Sequence, residues 1–426
     1  MKRLFQTSTE SVWRHRDLRI AAPARALSIL GDEIALVALM LHVHDLGAGA
    51  RGVMLLLISA AVPTVLLAPL AGSLADRVDS RLLLVTASLL QVVVCVALAF
   101  TAPLWGVYLL VMALQAGQAV VNPTWQALVP RIVGEAELGQ AMGATQALST
   151  LAAVAGAPLG GLLSGLGGQR LPLLVDAGTF LALVAAALLV RTRRAGRHDA
   201  ALRTADRPRA LDGLRVIRAD RLLWPIFVAL FAYIVVGEAT NVVEVFLIRD
   251  HLHGTSVQYG LVGAVTTAGI VVGSLLAGRI RRTPRRVVVV VVGAAVQSLA
   301  LLLAGLVPSV LALAVVYSTL GVANGALNTS TGTLVFTRVP DAVRGRVGAA
   351  LNGGSRACSI VALALGGLAG SELGAAPSFV LFGSLALVVV GWLALRVLPL
   401  RDVAPPEPAE STAPAERAPV GAANGS

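Results

Sequence analysis

Twelve separate stretches of this chain run for about 20 mostly apolar residues, the length at which an α-helix crosses the hydrocarbon core of a bilayer. They lie near residues 21–44, 52–74, 82–101, 104–128, 140–166 and 171–190. After a polar break come 222–248, 258–278, 286–306, 309–334, 346–370 and 376–398. The 426 residues are 56% hydrophobic and only 13% charged, with a mean hydropathy of +0.81. A soluble domain carries about 25% charged residues, and half that amount cannot cover a soluble globule of this length. A soluble enzyme is therefore excluded, and no nucleophile–base–acid arrangement invites a catalytic reading. The expected fold is an all-α membrane protein of twelve transmembrane helices. The first apolar run starts late and is followed by eleven more, so it does not resemble a cleaved signal peptide.

The net charge of +11 would suggest nucleic acid on a soluble protein, but here it is sorted between spans. Lys2, Arg3, Arg14, Arg16 and Arg19 precede the first span, ten arginines from Arg191 to Arg221 fill the central break, and Arg279, Arg281, Arg282, Arg285 and Arg286 follow the eighth span. The other side shows Arg51, Arg170 and Arg249. Positive charge marks cytoplasmic loops, so both termini are expected in the cytoplasm and the protein in the cell membrane, with no nucleic-acid partner. Residues 1–20 form an N-terminal segment, 21–190 one six-helix half, 191–221 a cytoplasmic linker, and 222–398 the second half. The tail, 399–426, is rich in Pro, Ala and Glu and is expected to be disordered. Lys2 is the single lysine, so the chain carries no Walker A loop. Cys95 and Cys358 lie in apolar runs without CxxC spacing and read as small core residues, with no metal site.

Shifting the chain on itself by 206 residues aligns the halves. Ala71-Gly72 meets Ala277-Gly278, Gln91 meets Gln297, Asn122 meets Asn328, Gly139 meets Gly345, and Gly160-Gly161-Leu162 meets Gly366-Gly367-Leu368. Apolar matches are cheap in such a composition; the shared amides and paired glycines are not. Two similar six-span halves in parallel orientation are the organisation of a transporter whose site lies between them.

The loop after the second span reads Gly72-Ser73-Leu74-Ala75-Asp76-Arg77-Val78-Asp79-Ser80-Arg81. It resembles the G-x-L-A-D-R-x-G-R-R/K signature of the major facilitator superfamily, with Asp79-Ser80 standing for Gly-Arg. The resemblance extends to Trp13-Arg14-His15-Arg16-Asp17, Gly31-Asp32, Val129-Pro130, Leu138-Gly139, Arg338-Val339-Pro340-Asp341 and Arg344-Gly345-Arg346. It is closest to the drug-efflux branch, particularly macrolide and siderophore exporters. Gly156-Ala157-Pro158-Leu159-Gly160-Gly161 is a variant of the antiporter G-P-x-x-G-G signature, so Pro158, Gly160 and Gly161 are expected at a helix-packing seam. Gln115 stands about where many drug/proton antiporters carry a basic residue.

The candidate working residues follow. Asp76 and Arg77 end the second span, where a carboxylate can face the positive N-terminus of a neighbouring helix and latch that side shut. The resemblance makes the neighbour the eleventh helix, so Gly72, Asp76, Arg77, Arg81, Arg344 and Arg346 are the gating candidates, against the plainer reading of a loop salt bridge. Acids inside a membrane are costly and usually functional. Asp32 lies about twelve residues into the first span, roughly 18 Å deep at 1.5 Å per residue, and its repeat counterpart is Glu238. Both would face one central cavity, to take up a proton or to bind a cationic substrate. Glu33 points elsewhere on its helix, and Glu244 and Asp176 are expected in wet outer vestibules. Arg356 reads as the only arginine deep within a span, so it must be paired or face water; pairing with Asp32 or Glu238 would let protonation break a salt bridge. Gln118 with Asn122, and Asn324 with Asn328, sit at i, i+4 on the fourth and tenth spans. The resemblance implies that these spans line the cavity, with Trp125, Phe231, Tyr233 and Phe246 for apolar contact; plain interhelical hydrogen bonding is the alternative. His42 and His44, like His251 and His253, are two residues apart and share no helix face; they are expected as exposed loop histidines.

The function implied is secondary active export of an amphipathic small molecule, a drug, antibiotic or siderophore-like compound, by proton antiport with alternating access. A dedicated natural-product exporter, a proton-coupled importer and a non-transporting receptor or scaffold remain as alternatives. No cofactor is expected beyond a proton gradient, and the partners are a small-molecule substrate and the lipid bilayer, with the chain acting as a monomer.

Overall fold

The computed structural model describes residues 12–101, 103–134, 137–192, 215, 217–218, 220–339 and 341–400. Within its helices, the side chains of Pro69, Asp76, Phe336, residues 341–346 and 348–350, and Asn352 lie outside the described set. Most of the 191–221 linker and the whole of 401–426 also lie outside it.

Thirteen principal helices account for nearly all described residues. In the first half they are α1 (Arg16–Asp45), α2 (Gly49–Leu66), α3 (Ala68–Arg77), α4 (Ser80–Phe100), α5 (Leu104–Val133), α6 (Leu138–Gly167) and α7 (Arg170–Leu189). The second half has α8 (Leu223–Phe246), α9 (Ser256–Gly278), α10 (Thr283–Ala304), α11 (Val310–Arg338), α12 (Asp341–Glu372) and α13 (Ala375–Val397). Among the described residues, twelve helical spans are long and apolar enough to cross a membrane. The second span, expected as one helix over 52–74, is instead α2 followed by α3 with a break at Leu67. Pro69 lies at the start of α3, where its missing N–H is harmless, but the ring disfavours helical backbone just before it. A π-helical turn, Leu247–His251, extends α8.

In hydrocarbon every backbone group must find its partner inside the protein, so helix ends are where polar residues matter most. Asp79, the departure from the loop signature, caps α4 by accepting from the backbone N–H of Arg81 at 2.9 Å and of Leu82 at 3.2 Å. Thr255 and Gln258 form a reciprocal capping box at α9, satisfying two otherwise orphan donors. Gly134 ends α5 with φ +75°, and Gly374 precedes α13 with φ +85°, conformations that a side chain would strain.

Packing repeats with the sequence. In the first half α1 lies on α6 and α7, α4 on α5 and α7, and α2 on α5. In the second, α8 lies on α12 and α13, α10 on α11 and α13, and α9 on α11. The halves meet chiefly where α6 packs on α9 and α2 on α12. These two seams are equivalent under the 206-residue shift, down to single residues. A Cβ on Gly161 would stand 2.6 Å from Gly260 Cα, and one on the counterpart Gly367 would stand 2.5 Å from Met54, the counterpart of Gly260. Close helix approach at small residues is how membrane helices associate without a hydrophobic drive between them.

We call the face where each half begins and ends, near Arg16, Val190, Leu222 and Val397, the terminal face, and its opposite the distal face. One buried apolar cluster reaches through both halves, from Val43, Val53 and Leu98 to Val243, Leu247, Ala304 and Phe379. Its members gather toward the distal face. Toward the terminal face the cores are separate, one around Leu18, Leu128 and Leu183, others around Leu222, Val290 and Leu393 and around Leu223 and Phe227. The halves are thus welded distally and parted at the terminal side.

Candidate functional site: a cleft between the halves

The parting holds one cavity lined from both halves, and a second lies among the helices of the second half. One of about 590 Å³ is lined by Arg25, Asn122, Trp125, Gln146, Ser149 and Thr150, with Thr267 and Ile270 from the opposite half. Another, of about 360 Å³, is lined by Tyr233, Glu238, Asn241, Glu244, Asn324 and Asn328, and again by Ile270. Ile270 of α9 borders both, so they lie side by side as a first and a second lobe. Its walls mix amides, hydroxyls and aromatic rings, the lining that small-molecule sites use to combine apolar burial with orientation.

In the first lobe a hydrogen-bonded chain links α1 to α5. Arg25, only 8% exposed, donates Nη1 to Ser28 Oγ at 3.3 Å and to Gln118 Oε1 at 3.4 Å, and Nη2 to Asn122 Oδ1. Gln118 in turn donates its Nε2 to Asp32 Oδ2. Asp32 Oδ1 is buried without a hydrogen-bond partner. Gln118 and Asn122 share a face of α5 because residues four apart do, and Arg25 and Asp32 share a face of α1 because seven residues make nearly two turns. Trp125, 9% exposed, closes the lobe toward the terminal side. Glu33 faces α6 at Gly156, away from Asp32.

The second lobe lacks that guanidinium, since Phe231 occupies the position equivalent to Arg25. Glu238 accepts from Asn241 Nδ2 at 3.4 Å and from Ser359 Oγ at 3.4 Å, and Asn328 donates to Asn324 at 2.8 Å. Phe231, expected at the cavity, packs edge-on to Phe227 with centroids 5.2 Å apart. It also fills the space beside Gly354, where a Cβ would come within 2.6 Å of its ring. Its place is in helix packing between α8 and α12.

Other expectations need correcting. Arg356 does not pair with Asp32 or Glu238. It is exposed and donates Nη1 to Thr64 Oγ1 at 3.3 Å, across the α2–α12 seam, because its face of α12 meets that seam. Arg25, near the start of α1, is far more buried than Arg356. Counting charge by loops hides Arg25 near the start of a long helix; its heptad spacing from Asp32 is the available signal. Asp176 lies in no vestibule: it is 0% exposed, receives the Cys95 thiol at 3.2 Å and the Thr179 hydroxyl at 3.1 Å, and rests against Gly31. Hydropathy does not reveal that α7 turns this face toward α1 and α4. Glu244 lines the second lobe beside Glu238.

Of the gating candidates, the side chains of Asp76, Arg344 and Arg346 lie outside the described residues. Arg77 is exposed, and Arg81 donates to the Val190 carbonyl at the end of α7, a tie within its own half. A Cβ on Gly72 would meet nothing within 4 Å. Pro158, Gly160 and Gly161 lie in the packing of α6: a Cβ on Gly160 would stand 2.9 Å from the Ile34 carbonyl, and one on Gly260 2.8 Å from that of Pro158.

Polar contacts and ion pairs that join the halves cluster at the distal face. His44 Nε2 lies 2.7 Å from Asp250 Oδ1, Arg249 reaches Asp45 at 3.2 Å, and Arg51 reaches Glu372 at 2.6 Å. His44, expected in an exposed loop, is in the last turn of α1 with its side chain 12% exposed and its ring 5.2 Å from that of Phe246. Among the described residues no group of three His, Cys, Asp or Glu side chains could hold a metal ion.

The family model described as Major Facilitator Superfamily matches residues 21–248 and again 237–424. An uncharacterized MFS-type transporter of Bacillus subtilis, YfiS, is 24% identical over 386 residues, 87% of this chain and 91% of that protein. Macrolide efflux protein A of Streptococcus pyogenes is 21% identical over 290 residues, 67% of this chain and 71% of its own. Among solved structures, a bacterial homologue of the human lysosomal transporter Spinster, inward-facing and unoccupied, superposes with a TM-score of 0.69 at 15% identity, covering 91% of this chain and 97% of its own. A bacterial homologue of the iron transporter ferroportin gives 0.66 at 14%, over 91% and 99%. At such identities these structures speak for the fold.

Proposed function

The chain belongs to the Major Facilitator Superfamily, and from that premise we propose that it is a secondary active exporter of an amphipathic small molecule, driven by proton antiport. The observation that carries this reading is the chain Asn122–Arg25–Gln118–Asp32. It runs from an amide exposed in the cleft to a carboxyl at mid-membrane depth, the two parts that exchange of a substrate for a proton requires. Intramembrane acids are expensive, and their presence argues for a working role. Glu238 gives the second half a carboxyl at the equivalent depth, in direct reach of a bound substrate. The macrolide efflux relatives favour a drug- or antibiotic-like cargo, and Trp125 and Tyr233 supply apolar surface for it beside the amides.

In this reading the terminal face is cytoplasmic, as the arginine distribution implies, and substrate is loaded from there into the cleft. The two six-helix bodies, residues 21–190 and 222–398, rock about the α6–α9 and α2–α12 seams, and the distal ion pairs part as the terminal face closes. A proton gradient is the sole energy source, and one chain suffices.

The test is efflux of a macrolide antibiotic from cells expressing the protein, with and without a protonophore. Export that stops when the gradient collapses is the expected outcome. Export indifferent to the gradient would remove antiport, and gradient-driven accumulation would reverse the direction.

A further inference from the structure

Arg25 sits where the tasks of the first half meet. It is 8% exposed, and a guanidinium inside a membrane protein must be partnered. Yet each acceptor it holds is neutral: the Ser28 hydroxyl and the side-chain oxygens of Gln118 and Asn122. Its nearest opposite charge, Asp32, is separated from it by one amide, which accepts from Arg25 with Oε1 and donates to Asp32 with Nε2. Asp32 keeps a second oxygen, Oδ1, buried with no partner. Asn122, at the other end, is exposed and lines the cleft.

We propose that Arg25 is the positioning residue that couples substrate to proton, its guanidinium being shared between Asn122, which meets the substrate, and Asp32, which carries the proton. The proposal rests on the antiport reading above. A hydrogen-bond donor on the substrate takes the Asn122 oxygen, and Arg25 loses that acceptor. Arg25 is 8% exposed at the cleft wall. The buried, unpartnered Asp32 Oδ1 is the acceptor that gains most by taking it, because cleft water already has other partners. The arriving positive charge favours carboxylate over carboxylic acid. The Asp32 O–H bond breaks, the proton leaves to cleft water, and Arg25 stays protonated and balances the new negative charge. Loss of the substrate returns Arg25 to Asn122, and Asp32 takes up a proton again.

The surroundings suit this exchange. On α1, Glu33 turns to α6, which has no charged or histidine side chain between Leu138 and Gly167. From α7 and α4, Asp176 and Cys95, hydrogen-bonded to each other, lie within electrostatic reach of Asp32; α5 offers it the amide of Gln118, and Glu238 of α8 lines the second lobe. Among the described residues, Arg25 is the cation that acts on Asp32. Phe231 at the equivalent position leaves Glu238 without such a device, so coupling belongs to the first half.

The experiment needs no substrate, because Asn122→Ala imitates its effect by removing the same acceptor. Purified full-length protein is titrated while the carboxylic-acid C=O infrared band of Asp32, assigned by its loss in Asp32→Asn, is followed. Asn122→Ala should lower the pH at which Asp32 loses its proton by about one unit, roughly a tenfold loss of proton affinity. In an Arg25→Gln background the same substitution should have no effect, and Arg25→Lys should restore part of the shift. An unshifted band in Asn122→Ala, or an equal shift with and without Arg25, would overturn the proposal. Since no gradient or cargo enters, a shift that depends on Arg25 in a protein whose transport ignores the gradient would keep the relay and sink the antiport reading alone.

Discussion

His44 and Asp250 are equivalent residues of the two halves, 206 positions apart, and His44 Nε2 lies 2.7 Å from Asp250 Oδ1. A residue can touch its own repeat counterpart only near the axis that relates the repeats, so this contact marks the axis at the distal face. The neighbouring pair Arg249–Asp45, at 3.2 Å, reinforces it. These contacts must break if the distal face is to open.

The first prediction follows from that latch. Asp250→Asn combined with Arg249→Gln should shift the protein toward distal-open states. Partly exposed ion pairs contribute about 0.2–1 kcal/mol each, so the closed-to-open ratio should fall by a factor of roughly 1.4 to 5 per pair. Spin-label distances across the distal face of the full chain measure it, and an unchanged distribution would mean that the apolar contacts beneath hold the closure alone.

Glycine substitutions should divide sharply by position. Gly161→Ala places a methyl 2.6 Å from Gly260 Cα, where backbone must move, and overpacking of this kind costs about 1–3 kcal/mol. Thermal unfolding in detergent should record the loss, with transport falling too. Gly72→Ala meets open space and lies inside α3, where exchanging glycine for alanine gains about 0.5–1 kcal/mol. If Gly72→Ala stays folded but transport suffers, that glycine is needed in a state other than this one.

Asp17 ties the start of α1 to the end of α7. Its Oδ2 accepts from the Arg191 N–H at 3.0 Å, the Thr192 N–H at 2.7 Å and the Thr192 hydroxyl at 2.6 Å. Asp17→Ala should cost about 1–3 kcal/mol, the penalty for leaving such donors unsatisfied, read as a lower Tm. Asp79→Ala should cost about 1 kcal/mol through the lost cap of α4. Equal Tm values for wild type and Asp17→Ala would show that water replaces the carboxylate.

The two intramembrane acids should separate by phenotype. Asp32→Asn should abolish the dependence of efflux on the proton gradient while cargo still binds. Glu238→Gln should instead weaken cargo binding, with gradient dependence preserved at saturating substrate. Vesicle uptake at several substrate concentrations and pH values distinguishes them, and identical profiles would refute the division of labour.

Much of the fold is legible in the chain, because bilayer thickness sets helix length and unpaired backbone is intolerable in hydrocarbon. The twelve spans, the 206-residue repeat and the paired glycines Gly160-Gly161 and Gly366-Gly367 are all written there. Asp32 and Glu238 stand out for the same reason, as charge where charge is costly. The partners of those residues are another matter. A helix nearly apolar all round gives hydropathy no direction in which to point, so the burial of Asp176, the turning of Phe231 into helix packing and the exposure of Arg356 depend on how helices are rotated against one another.

By itself, then, the sequence determines the family, the number of helices and the two-fold plan, since each rests on local composition or on self-similarity. Tertiary structure alone decides that Arg25 stands between Asn122 and Asp32, and that His44 meets Asp250. Those contacts join residues 97 and 206 positions apart, and only the packed helices bring such distant groups within a hydrogen bond of each other.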